Sequence, residues 1–269
     1  MDKNTIPNQI FSMAKKVVVI FGGTGKLGLN FSSTLSGAGG KIYLLDKNKN
    51  SNLGKNISFI KCDVNSKKKI HQCLNKIIKK EKKIDVLIYN VYAKPKNYYK
   101  DISNYETDTW EKVVKANLTG AFLTSQFLIN HFKKKKIKGN IIVVLSTYGL
   151  VGPDLNIYKN LKKGKNIYGG NFALTSPVSY TSTKSGMLGL VKYIATTCGK
   201  FGIRANSLTP GGVFDNQEKQ FVKNYVKKVP LGKMANWTDY NGAILFLSSD
   251  ASRYMTGSNL IVDGGWTAW

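Results

Sequence analysis

The stretch Val17-Val18-Val19-Ile20-Phe21-Gly22-Gly23-Thr24-Gly25-Lys26-Leu27-Gly28 decides the fold. Five apolar residues in a row read as a strand buried on both faces. Glycines then set a tight turn, and helical periodicity comes after it. Such a unit makes a site for a pyrophosphate. Glycines admit close backbone approach, and a helix N-terminus offers free N–H groups in a positive potential. A glycine turn alone is equally compatible with a plain tight loop, so its neighbours have to decide.

The second apolar run ends in Asp46, eighteen residues after Gly28, where a carboxylate meets an adenosine ribose. Asp46 would accept hydrogen bonds from both ribose hydroxyls and repel a 2′-phosphate, which favours NAD over NADP; Lys47 beside it softens that preference. Asp63 and Val64 come after the third run, in position to meet the adenine. Asp63 also suits a helix cap.

The apolar runs lie at 17–21, 42–46, 57–61, 86–90, 141–146, 205–209 and 260–263, with helical periodicity at 67–80, 110–132, 180–199 and 236–247. This alternation predicts an α/β fold: one doubly wound Rossmann domain, with a parallel sheet covered by helices on both faces. Residues 1–14 read as a polar arm and 15–269 as the single domain.

The formal charge is +26, yet all but two of the 41 basic residues are lysine, the exceptions being Arg204 and Arg253. Readers of base edges and phosphates favour the forked guanidinium, so the charge does not point to specific nucleic-acid binding. The lysine-rich runs at 67–69, 79–83 and 133–136 read as solvated helix faces, and the charge would attract anionic substrates at long range. Cys62, Cys73 and Cys198 have no metal spacing and fit a reducing compartment. His71 and His131 sit in lysine-rich helical stretches and make poor ligands, so no metal is expected. No segment approaches a membrane span, and the run at 17–21 is too short for a signal peptide. A cytoplasmic protein is expected.

Tyr180-Thr181-Ser182-Thr183-Lys184 carries the chemistry. Positions four apart share a helix face, so Tyr180 and Lys184 can enter one site. A free phenol has a pKa of about 10, and a nearby ammonium favours the phenolate, which would then serve as a base.

Together these features resemble the short-chain dehydrogenase/reductase family from Val17 to Gly265. The matches are the glycine turn, Asp46, Asp63-Val64, Asn90, Asn117, Ser146, Tyr180-x-x-x-Lys184, Pro210-Gly211 and Asp263-Gly264-Gly265. The resemblance implies a nicotinamide cofactor and alcohol–ketone chemistry, in a homodimer or homotetramer. It makes Tyr180 the acid/base, with Lys184 holding the nicotinamide ribose and lowering the Tyr180 pKa. Ser146 would bind the substrate oxygen, and Asn117 would anchor the water of a proton relay. It places Gly22, Thr24, Gly25, Lys26, Leu27, Gly28, Asp46, Asp63, Val64, Asn90, Tyr180, Lys184, Pro210, Gly211 and Val213 around the cofactor.

The chain departs from the family pattern at Lys26, where a middle glycine is usual, at Tyr89-Asn90-Val91-Tyr92, and at Asp215. Ser146 and Tyr180 are 34 positions apart, further than in shorter members. The extra segment at about 153–176 carries Tyr158, Tyr168, Lys159, Lys162, Lys163 and Lys165. It reads as a substrate-shaping lid suited to an acidic ligand, or else as a solvated loop.

The stretches at 93–98, 176–180 and 210–217 are similar to oxidoreductases of bacterial surface-sugar pathways, including those linked to flagellin glycosylation and legionaminic-type sugars. That similarity implies a nucleotide sugar or sugar phosphate as substrate. The alternatives are a non-sugar alcohol, a 3-oxoacyl substrate, and a non-catalytic nucleotide-sensing protein on the same fold.

Overall fold

The computed structural model describes residues 7–49, 53–161 and 175–269. Its strands are β1 (Val17–Phe21), β2 (Lys41–Asp46), β3 (Ile57–Lys61), β4 (Val86–Tyr89), β5 (Asn140–Val144), β6 (Arg204–Pro210) and β7 (Asn259–Val262). They form one parallel sheet in the order β3-β2-β1-β4-β5-β6-β7. This is the expected doubly wound Rossmann architecture. The helices are α1 (Pro7–Ile10), α2 (Lys26–Gly37), α3 (Lys67–Glu81), α4 (Thr107–Val114), α5 (Gly120–Lys135), α6 (Val178–Cys198), α7 (Lys219–Val226) and α8 (Asn241–Ser248).

Side chains alternate across a strand, and β1 shows what that alternation does here. Val17, Val19 and Phe21 enter a core with Ile70 and Leu74 of α3, Leu128 of α5 and Met187 of α6. Val18 and Ile20 enter the opposite core with Phe31 and Leu35 of α2 and Ile244 and Leu247 of α8. Every β1 residue is buried, which accounts for the unbroken apolar run. Met13, expected within a polar arm, is fully buried, and its N–H donates to the Ala38 carbonyl at 2.9 Å.

The periodicity at 110–132 is not one continuous helix. Between α4 and α5 the chain makes a wider π turn, Lys115–Thr119. Two residues explain it. The Tyr89 hydroxyl, at the end of β4, donates to the Ala116 carbonyl. A Cβ on Gly120 would lie 2.1 Å from that hydroxyl. Only a glycine lets the helix pass, and the diverted carbonyl leaves the regular ladder. Other elements were not anticipated, and two of them bear on the site. One is α7, whose Phe221, Val222 and Tyr225 pack under a loop cluster. The other is a 3₁₀ turn, Trp237–Tyr240, preceding α8 within the span read as helix at 236–247.

Lysines 67–69 and 133–136 are exposed, as their runs suggest. The three cysteines are buried. No helix among the described residues is long and apolar enough to cross a membrane.

The turn after β1 depends on close backbone approach. A Cβ on Gly28 would lie 2.5 Å from the Gly22 carbonyl oxygen and 2.7 Å from that of Gly23, whereas one on Gly37 would meet nothing within 4 Å. Gly37→Ala is therefore expected to stabilise the protein by up to about 1 kcal/mol through helix propensity. Gly28→Ala should destabilise it by about 1–3 kcal/mol through overpacking. Urea unfolding of the two variants checks this, and effects of the same sign would refute it.

Candidate active site

The outgoing turns of β1 to β6 enclose a cleft of ≈1130 Å³. This is the carboxyl edge of the sheet, where ligands bind in open α/β folds. Gly22, Gly25, Lys26, Leu27, Asp46, Val64, Asn90, Ser146, Tyr180, Lys184, Pro210, Gly211 and Val213 all line it. Thr24, Gly28, Asp63 and Asn117 instead support the lining residues.

At the glycine turn, Gly22 has φ +71°, and a Cβ there would strike the Asn90 carbonyl at 2.6 Å. The Asn90 amide donates to the Gly22 carbonyl at 3.1 Å. Gly25 begins α2 with no side-chain cap, so the first helical N–H groups have no side-chain acceptor. One Asp46 carboxylate oxygen accepts from Thr24 N at 3.1 Å and the other from Lys47 N at 2.7 Å. Asp63 does not cap α3. Ser66 does, accepting from Lys69 N, while Asp63 accepts from Asn65 N at 2.9 Å and pairs with Lys47 at 3.3 Å. This donor set fits a dinucleotide: open N–H groups for a pyrophosphate and a carboxylate at the ribose position. Lys26 pairs with Asp215 and stands 5.2 Å from the Trp237 ring, joining the glycine turn to the loop after β6.

Deeper in the cleft, Ser146 lies two residues beyond β5 and accepts from Tyr148 N at 3.3 Å. Tyr180 and Lys184 project from the first turns of α6, with the Lys184 ammonium 5.7 Å from the Tyr180 ring centroid. That ammonium donates to the Val144 carbonyl at 2.7 Å. Asn117, in the π turn, is fully buried and engaged at both ends of its amide. It accepts from Ala93 N at 2.9 Å and donates to Thr183 Oγ1 at 3.1 Å.

The profile of the family described as short chain dehydrogenase matches residues 16–164, and one described as enoyl-(acyl carrier protein) reductase matches residues 165–267. The crystal structure of a short chain dehydrogenase from Leptospira borgpetersenii with bound NAD+ superposes with a TM-score of 0.85 at 31% identity, covering 95% of this chain and 94% of that one. The chain belongs to the short-chain dehydrogenase family. Post-translational flagellin modification protein A of Campylobacter coli is 28% identical to this dehydrogenase over 267 residues, 94% of this chain and 99% of that protein. L-rhamnose 1-dehydrogenase (NAD(P)(+)) of Azotobacter vinelandii is 32% identical over 188 residues, 68% of this chain and 64% of that protein. The protein is an oxidoreductase acting on CH–OH groups, with a fold that binds NAD(P).

The dehydrogenase's cleft has further walls that its motifs did not reveal. Tyr92 and Lys94 follow β4, Tyr148 follows β5, and Tyr225 comes from α7. The first three stand in turns leaving strands at the cleft edge, and that position was the available signal. Tyr225 had only the helical spacing of Phe221, Val222, Tyr225 and Val226 to announce it. Its hydroxyl accepts from Gly212 N at 2.7 Å, and its ring stacks on Trp266 with centroids 4.4 Å apart. The C-terminal tail thus packs on its own chain's site. The start of the expected lid is held on α7, where the Asn224 amide donates to the carbonyls of Ile157 at 3.3 Å and Lys159 at 2.9 Å. Lys162, Lys163, Lys165 and Tyr168 lie outside the described residues.

The expected lowering of the Tyr180 pKa is not what the structure shows. Burial raises the phenol above its ordinary value, and a hydrogen bond with Ser146 offsets this only in part. Burial also pushes the Lys184 ammonium down to about 7. Both groups share one poorly solvated pocket, which penalises either charge. Since the folded-state pKa of Lys184 lies below its unfolded value, the unfolded chain binds the extra proton between the two. Stability therefore rises with pH from about 7 toward the unfolded lysine value of about 10.4, and the full penalty is present below 7. Lys184→Met abolishes this dependence. Its Tm relative to wild type should fall by several degrees between pH 6 and pH 9, and a constant difference would contradict the burial argument.

Proposed function

We propose that this protein is an NAD-dependent dehydrogenase that interconverts a secondary alcohol and a ketone on a sugar phosphate or nucleotide sugar, in surface-glycan biosynthesis. The observation that carries the chemistry is the convergence of Ser146, Tyr180 and Lys184 on one cleft beside an uncapped, glycine-bordered helix start. Similarity to the rhamnose dehydrogenase supports a sugar substrate, and similarity to the flagellin modification protein supports a part in modifying a surface structure. Asp46 supports NAD, since its carboxylate is anchored at the end of β2 and disfavours a 2′-phosphate.

Gly22, Gly25, Lys26 and Leu27 would hold the pyrophosphate, and Asp46 and Val64 the adenosine, with Asp63 positioning Lys47 beside them. Asn90, Lys184, Pro210, Gly211 and Val213 would hold the nicotinamide end. When bound, the nicotinamide supplies the acceptor or donor of hydride. Tyr180 takes the hydroxyl proton during oxidation and returns it during reduction. Ser146 donates to the same oxygen and favours its developing charge. Lys184, held by the Val144 carbonyl, keeps positive potential beside the phenol. Asn117 is a positioning residue, tying the turn at Ala93 to Thr183 on the catalytic helix. The buried free thiols support a cytoplasmic protein. The exposed Trp110, Phe122 and Tyr193 on α4, α5 and α6 offer surface for a homodimer or homotetramer.

NADH formation at 340 nm, across a panel of nucleotide sugars and sugar phosphates, tests the reading. Tyr180→Phe is expected to lower kcat by about 10²–10⁴ while leaving NADH affinity unchanged. A variant that retains most of its rate removes Tyr180 from the mechanism. Asp46→Ala should move the NAD/NADP preference in kcat/KM toward NADP by about tenfold or more, equivalent to about 1.4 kcal/mol. Unaltered preference would assign discrimination elsewhere.

A further inference from the structure

We propose that Lys94 recognises an oxyanion of the substrate, a phosphate or carboxylate, beside the reacting carbinol. This rests on the cleft being the redox site described above, and it concerns a residue in a turn where the glycine, Ser146 and Tyr180–Lys184 motifs have no part.

The turn after β4 reads Asn90-Val91-Tyr92-Ala93-Lys94-Pro95, and it is held on both sides of Lys94. Ala93 N is fixed by the Asn117 side chain at 2.9 Å. Pro95 restricts the preceding residue to extended backbone. The Lys94 ammonium lies 4.8 Å from the Tyr92 ring centroid, within cation–π range. The Tyr92 ring in turn meets the Tyr180 ring edge-on at 5.9 Å. A single aromatic ring therefore connects this cation to the catalytic phenol, and Lys94 lines the same cleft as Ser146 and Tyr180.

Lys94 is exposed at the rim, yet the surrounding protein desolvates its ammonium enough to bring it down to about 8, against an opposing pull from Asp215. Asp215 is itself engaged by Lys26 at the glycine turn. A partly desolvated cation with a shared counterion gains from an anion arriving in the cleft. The other cleft lysines are engaged elsewhere: Lys26 stands at the glycine turn with Asp215, Lys47 at the adenosine end with Asp63, Lys112 pairs with Asp108, and Lys184 is held by the Val144 carbonyl.

A second observation comes from the turn after β5. The Tyr148 hydroxyl is buried and, among the described residues, has no hydrogen-bond partner, although the residue lines the cleft. Buried hydroxyls are rarely left unbonded, and a substrate oxygen would satisfy this one. A hydroxylated body carrying an oxyanion matches both groups.

The test is calorimetric titration of the NADH-saturated protein, so that the cofactor's own phosphates are already in place. The probes are glucose 1-phosphate, gluconate and glucose. At least one charged probe is expected to bind tenfold or more tightly than glucose, and which one does so separates phosphate from carboxylate. Lys94→Met should abolish that preference without changing NADH affinity, and Lys94→Arg should retain most of it. Lys96→Met, which removes the same charge outside the cleft, should behave as wild type. The proposal is overturned if wild type shows no preference, if Lys94→Met keeps it, or if Lys96→Met loses it equally. Because binding is read without turnover, a silent NADH assay with these results would reject the sugar phosphate and nucleotide sugar as substrates and leave the oxyanion site standing.

Discussion

Lys184 reaches from the catalytic helix to the carbonyl of Val144, the last residue of a strand that is buried throughout its length. Removing an ammonium from water costs several kcal/mol, and a charge-assisted bond at 2.7 Å offsets part of that. The bond fixes more than one side chain. Strand β5 is held in register by β4 on one side and β6 on the other, with Val143 opposite Tyr89 and Val144 opposite Leu208. Ser146 lies two residues past this point, and Tyr180 one helical turn before Lys184. Both reacting groups are therefore measured from the same carbonyl.

Other contacts work to the same end from outside the sheet. Asn117 bridges the turn after β4 to α6. Tyr240 donates to the Gly211 carbonyl at 3.0 Å, while Tyr225 accepts from Gly212 N, so the loop after β6 is gripped by α7 and by the turn before α8. Asp263 accepts from Gly265 N and Thr267 N at 2.9 Å each, bending the tail so that Trp266 reaches Tyr225. The cleft is thus walled by segments distant in sequence that share few but specific hydrogen bonds.

Much of this was legible in the residue pattern. Strands buried on both faces cannot alternate apolar with polar residues, so β1 could be bounded to the residue; the limits of β3, a half-buried edge strand, were legible from its Ile57, Phe59 and Ile60. Others shifted by a residue or two, because strand ends follow hydrogen-bond ladders and not apolarity: β5 begins at Asn140 and stops at Val144, short of Ser146. The motif residues gathered where a strand–turn–helix unit places them. What stayed hidden depends on long-range partners. The π turn needs a tyrosine from β4, the role of Asn117 needs Ala93 and Thr183, and the pKa of Lys184 needs the depth of its pocket. None of these is encoded in local spacing.

The wide turn at Lys115–Thr119 has a consequence for how this sequence can vary over time. Each residue in a helix advances the chain by about 100°, so loss of one residue there would restore a regular ladder and rotate α5 by that angle. Asn117 would swing away from both partners, and Gly120 would no longer face Tyr89. Substitution in this segment alters one group at a time, whereas a single deletion changes the phase of a whole helix against the site. Asn117 apart, its letters are free to drift under packing constraints, but their number is not.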